Sequence, residues 1–205
     1  MNLAEQLLRM RHDLDELDSS ASHWSDARLT VFLNRGQDDI VSRVPALFVR
    51  KAPNLLTLHV ANINIGQNQM ELPSTFIIAA QVNIYGAVAT MLTDPNQERM
   101  LSTNSLYTPS TTNPFVIIPY YSNRAKFFPM GTTLVQQGWK MIHLRPPVLL
   151  ESVGQSSELP LDMHTWEVDY GVAAALLEDG DARAAERFRI YFSHFPQPQP
   201  RGQNE

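Results

Sequence analysis

Apolar residues recur at spacings of three and four in two stretches at opposite ends of the chain, Trp24 to Val44 and Met163 to Phe195. The long segment between them is rich in β-branched and aromatic residues. Short amphipathic helices are marginal alone, so these stripes must meet one another or a neighbouring copy, which brings the two chain ends together. In the first stretch Ser25 or Asp26 offers a side-chain oxygen to the unpaired amides of a helix start. Leu29, Phe32, Leu33, Gly36, Ile40 and Val44 then share one face, and Pro45 ends the run. In the second, Trp166, Tyr170, Ala173 and Leu177 form a stripe that resumes after Asp179-Gly180-Asp181 as Ala185, Phe188, Phe192 and Phe195. That is the pattern of a helical hairpin. Residues 3–17 predict a further helix, with Leu3, Leu7, Met10, Leu14 and Leu17 on one face and Ser19-Ser20-Ala21-Ser22 as its link to the next.

Between the ends, residues 55–60 and 69–72 read as strands around the turn-rich Asn62 to Asn68, the composition of a hairpin. Phe76 to Tyr85 continues in extended form, with a helix over Ala79 to Leu92 as the competing reading. Thr93 to Asn113 is dense in Thr, Ser, Asn and Pro and predicts a long loop or arm. Strands resume at 115–121, 125–128 and 138–144, where Trp139, Met141 and His143 alternate with Lys140, Ile142 and Leu144. The expected fold is therefore α+β: a helical bundle formed by residues 1–48 and 159–195, a β-rich insertion over 49–158, and an extended Pro/Gln tail at 196–205.

Hydrophobic residues make up 43% of the 205 and charged ones only 18%, which favours an ordered protein that covers surface by oligomerising. A net charge of -5 gives no general attraction to nucleic acid or anionic membrane. No cysteine is present, so disulfides and thiolate catalysis are excluded. The first 22 residues lack the apolar run of a signal peptide and no stretch is long enough to span a membrane, so the expectation is a soluble cytoplasmic product. The six histidines are scattered without metal-ligand spacing; His164, near Asp162 and Glu167, is the best ligand candidate and reads more simply as a first-turn helix residue. No serine-nucleophile elbow or phosphate-cradling glycine loop occurs, and the paired acids Asp13/Asp15 and Asp38/Asp39 read as solvated helix faces. The expectation is no catalytic residue, no metal and no cofactor. The residues expected to pack between subunits or against a partner are Trp24, Leu29, Phe32, Leu33, Trp166, Tyr170, Phe188, Phe192 and Phe195.

The order of elements resembles the head-to-tail adaptor, or connector, proteins of tailed bacteriophages. The residues that carry the likeness are Trp24-Ser25-Asp26 leading into Leu29, Leu33-Asn34, Gly36-Gln37 and Ile40; Glu71-Leu72-Pro73; Leu159-Pro160 before the helix from Trp166 to Leu177; and the turn from Glu178 to Ala185. They cover both ends and part of the middle, about half the chain. The resemblance implies a virion structural protein of the neck, assembled in the host cytoplasm as a ring, commonly a dodecamer. Such a ring binds the portal protein after DNA packaging, extends the ejection channel with transient non-specific contact to genomic double-stranded DNA, and presents a docking surface to a tail, nozzle or tail-terminator protein. The nearest rival is a tail-completion or tail-terminator protein. A small hydrolase using His164 with Asp162 or Asp169 is the rival from another class, and a DNA-binding packaging factor is disfavoured by the charge.

Overall fold

The computed structural model describes residues 1–15, 23–92, 109–119 and 122–196. Five helices and two four-stranded sheets give a mixed α+β fold, 39% helical and 26% strand, as expected from the sequence. The chain divides into two compact units, Met1–Ala52 with Pro147–Glu205, and Pro53–Pro146. These limits stand beside the expected ones at 48/49 and 158/159. On the amino-terminal side, residues beyond Pro45 coil into a short helix of the first unit. On the carboxy-terminal side, the Leu150 backbone is pinned at both its N–H and C=O by the Asn34 amide, at 2.8 and 3.1 Å.

The helical unit contains α1 (Leu3–Asp13), α2 (Asp26–Arg43), α3 (Pro45–Lys51), α4 (His164–Glu178) and α5 (Ala184–Ser193). A reciprocal capping box opens α1, with Asn2 accepting from the Glu5 amide and Glu5 accepting from the Asn2 amide. Ser25 caps α2 through the Arg28 amide. Pro45 ends α2 but also opens α3, because proline's missing N–H is no loss in a helix's first turn. That helix was not foreseen. One core gathers Leu3, Leu7 and Met10 of α1, Leu29, Phe32 and Leu33 of α2, and Val168, Val172, Ala175 and Leu176 of α4, with Leu14 and Trp24 beside them. At Gly36 an added Cβ would lie 3.1 Å from the Tyr170 ring and 3.3 Å from the Glu167 carbonyl, so glycine is what lets α2 approach α4 this closely.

The second unit contains β1 (Leu56–Ile63), β2 (Gln69–Glu71), β3 (Ile78–Ile84), β4 (Ala87–Val88), β5 (Thr90–Leu92), β6 (Phe115–Ile117), β7 (Arg124–Phe128) and β8 (Val135–Leu144). One sheet runs β1-β8-β3-β4 and the other β2-β7-β6-β5, the β5/β6 pair being parallel. Their inner faces share a core of Ile63, Val82, Ile84, Trp139 and Met141 from the first and Met70, Val116, Ala125 and Phe127 from the second. The predicted hairpin of β1 with β2 does not form. β1 pairs with β8 and β2 with β7, so the chain crosses from one sheet to the other at residues 64–68. The helix considered for Ala79 to Leu92 is replaced by β3, β4 and β5. The end of the first predicted helix, its Ser-rich link, and residues 93–108, 120–121 and 197–205 of the predicted arm, strand and tail lie outside the described residues. Among the described residues no helix is long and apolar enough to cross a membrane.

Candidate functional site

Of the nine residues expected at a subunit contact, four are consumed by the bundle itself. Leu29, Phe32 and Leu33 are buried in its core, and Trp24 is buried edge-on against Phe32 with ring centroids 5.7 Å apart. The other five, Trp166, Tyr170, Phe188, Phe192 and Phe195, gather where α5 packs on α4 and the end of α2.

Burial on α4 extends beyond the expected stripe of Trp166, Tyr170, Ala173 and Leu177, because that helix packs against α1, α2 and α5. His164, Glu167, Val168, Asp169, Gly171, Val172, Ala173, Ala175 and Leu176 are all buried, whereas Leu177 is exposed. On α5 the predicted stripe is displaced by one residue: Ala184 and Tyr191 turn inward, leaving Ala185 and Phe192 outside. The cause is a polar anchor. Tyr191 Oη donates to Asp39 Oδ2 at 2.5 Å, and Arg43 Nε donates to the same oxygen at 2.5 Å. Burial and the adjacent carboxylate hold the Tyr191 phenol protonated, well above its ordinary range.

With Tyr191 fixed, Phe188 and Phe192 stack at 5.9 Å and 21° on the outward side of α5, and the Arg43 guanidinium lies over the Phe192 ring at 4.8 Å. Ala185, Phe188, Arg189, Phe192 and Ser193 line an open groove of about 440 Å³. Phe192 keeps 40% of its surface exposed. Beside the groove Trp166 stacks on the His194 ring at 5.2 Å and 3°, and His194 Nε2 lies 2.7 Å from Asp169 Oδ2. Ser193 Oγ donates to the Ile190 carbonyl at 2.6 Å and so is not engaged with that His–Asp pair. The arrangement is suited to packing: flat apolar rings rimmed by arginine, the side-chain types that dominate the buried centres of protein interfaces.

The side chains of the hydrolase alternative are engaged with other partners. His164 is buried, its Nε2 2.9 Å from the Leu159 carbonyl and its Nδ1 2.7 Å from the Met1 amino group. Asp162 faces Lys51 at 3.4 Å and Asp169 faces His194. Among the described residues no group of three His, Asp or Glu side chains gathers as a metal site would require.

A second polar cluster was not legible in the sequence. Glu167 is fully buried; Ser157 Oγ donates to its Oε1 at 2.5 Å and Gln6 Nε2 donates to its Oε2. Desolvation pushes its pKa up to about 7, against the lowering influence of Ser157, Gln6 and the Met1 amino group. Gln6 Oε1 and Gln37 Nε2 are themselves buried without a hydrogen-bond partner among the described residues. No family model and no curated protein matches the chain.

Proposed function

We propose that the chain is a non-enzymatic ring subunit of a tailed-bacteriophage neck, binding the portal and forming part of the channel and the docking surface for the tail. The observation that carries this reading is the open aromatic row of Phe188 and Phe192 on a bundle assembled from both chain ends. The motif residues behind the resemblance support it by their structural work. Ser25 caps α2, Leu159 accepts from His164, and Gly180, at φ +75°, makes the turn between α4 and α5. The reading rests on architecture and on a packing surface.

Native mass measurement of the protein alone and mixed with a candidate portal tests this reading. The expected result is a closed oligomer, alone or on the portal. A strict monomer that never joins a portal overturns it. Phe192→Ser, at a half-exposed site, should leave the fold intact and weaken the subunit contact roughly ten- to hundredfold, the effect of losing one buried phenylalanine from an interface. Deleting residues 196–205 should likewise leave far-UV circular dichroism unchanged while reducing attachment to the partner; undiminished attachment would remove the tail from this role.

A further inference from the structure

β1 is an edge strand that carries none of the usual protection. Its sequence, Leu-Thr-Leu-His-Val-Ala-Asn-Ile, holds no lysine, arginine, acid or proline across eight residues. The other three sheet edges are only two or three residues long: β4, β2 and β5. Antiparallel pairing alternates the direction of the backbone groups, and the bond from Arg145 N–H to the Leu55 carbonyl at 3.0 Å fixes the phase. Thr57, His59 and Ala61 therefore bond to β8, while the amide and carbonyl groups of Leu56, Leu58 and Val60 point away from it. Among the described residues no backbone hydrogen bond reaches that outer side. The side chains there are equally open: Leu58 is 58% exposed and Val60 40%. The register irregularity lies beyond, between Ala61 and Ile63, and leaves Leu56 to Val60 regular.

We propose that β1 pairs antiparallel with β1 of a second copy, about a twofold axis at Leu58, joining two four-stranded sheets into one of eight strands. An unpaired row of backbone donors and acceptors is complementary to another extended backbone, which identifies the kind of occupant. The side chains identify which one. Across a twofold axis a strand meets its own sequence reversed, so a charged residue near the axis would face its own copy or lie close to it. This strand has none. Centred on Leu58, the exposed face matches Leu58 with Leu58 and Leu56 with Val60, and the backbone-bonded positions are the three whose groups are free. The contact is isologous and lies in the β unit, so it goes beyond the ring contact proposed above and does not depend on it.

The absence of cysteine makes the test clean. Facing residues in a hydrogen-bonded antiparallel pair have Cα atoms about 5.5 Å apart, inside the range that a disulfide spans. Leu58→Cys should therefore form a disulfide-linked dimer under mild oxidation, at least about tenfold faster than Val88→Cys, an exposed position on the short opposite edge, because a held pair reacts at high effective concentration. Leu58→Lys should abolish the twofold pair in native mass spectra while circular dichroism stays unchanged. Equal oxidation rates for the two cysteine variants, or a Leu58→Lys protein whose assembly matches the parent's, would overturn the proposal.

Discussion

Glu167→Gln should raise stability at pH 8 by about 3 kcal/mol and leave it nearly unchanged at pH 4. A pKa moved from 4.5 to about 7 is worth roughly that much by linkage. Below pH 4.5 the carboxyl is protonated in the folded and unfolded chain alike, and burial carries no ionic penalty. Between 4.5 and 7 the unfolded chain loses the proton while the folded one keeps it, so stability falls as pH rises. Above 7 both are ionised and the full penalty stands. Glutamine keeps the shape and the Ser157 bond without titrating. It also offers an N–H to the Gln6 Oε1 that now lacks a partner, once the Gln6 amide turns over. Urea melts of both proteins from pH 4 to 8 measure the effect as a difference between them. The difference matters because His164 and His59 titrate with the opposite sign: burial lowers their pKa values, so they cost stability as pH falls through the histidine range. Parallel curves for parent and variant would show that Glu167 is not held in its neutral form.

The same cluster shows where reading a sequence by pattern reaches its limit. Periodicity assigns apolar residues to the inside and polar ones to water, so it gives no sign that Gln6, Gln37 and Glu167 are buried together. Only the docking of α1 and α2 against α4 brings them together, and then they satisfy one another in part. The phase of α5 has a similar cause. Counted by hydrophobicity, Ala185 and Phe192 belong to the packed stripe; the phenol of Tyr191, an apolar ring with a polar tip, reaches Asp39, and Ala184 and Tyr191 turn inward instead. Four of the five helices, the Ser25 cap, the Gly180 turn and the inner face of β8 were legible because each depends on neighbours along the chain. The pairing of β1 was not. A Gly/Asn-rich segment announces that the chain turns, whereas β1 finds its partner in β8, far along the sequence, through the side chains that fill the core.

That core supplies the second large effect. Trp139→Ala should cost about 3–5 kcal/mol, the usual range for truncating a fully buried tryptophan. Trp139 lies on β8 with no exposed surface, and its ring sits 5.8 Å from Phe127 of β7. The two rings belong to different sheets, so this contact helps hold the sandwich closed, and an alanine leaves a void that short strands such as β2 and β6 are poorly placed to fill. Trp139→Phe should cost much less. It keeps an aromatic ring against Phe127 and removes an indole N–H that has no hydrogen-bond partner among the described residues. Trp24 and Trp166, the remaining tryptophans, both lie in the helical unit and become fluorescence reporters of that unit in either variant. Because each unit has its own core, the alanine variant should lose its strand signal in circular dichroism at lower urea than the parent, ahead of the tryptophan transition. A loss below about 1 kcal/mol would mean that other residues, not Trp139, hold the sheets together. Coincident transitions would mean that the two cores unfold as one.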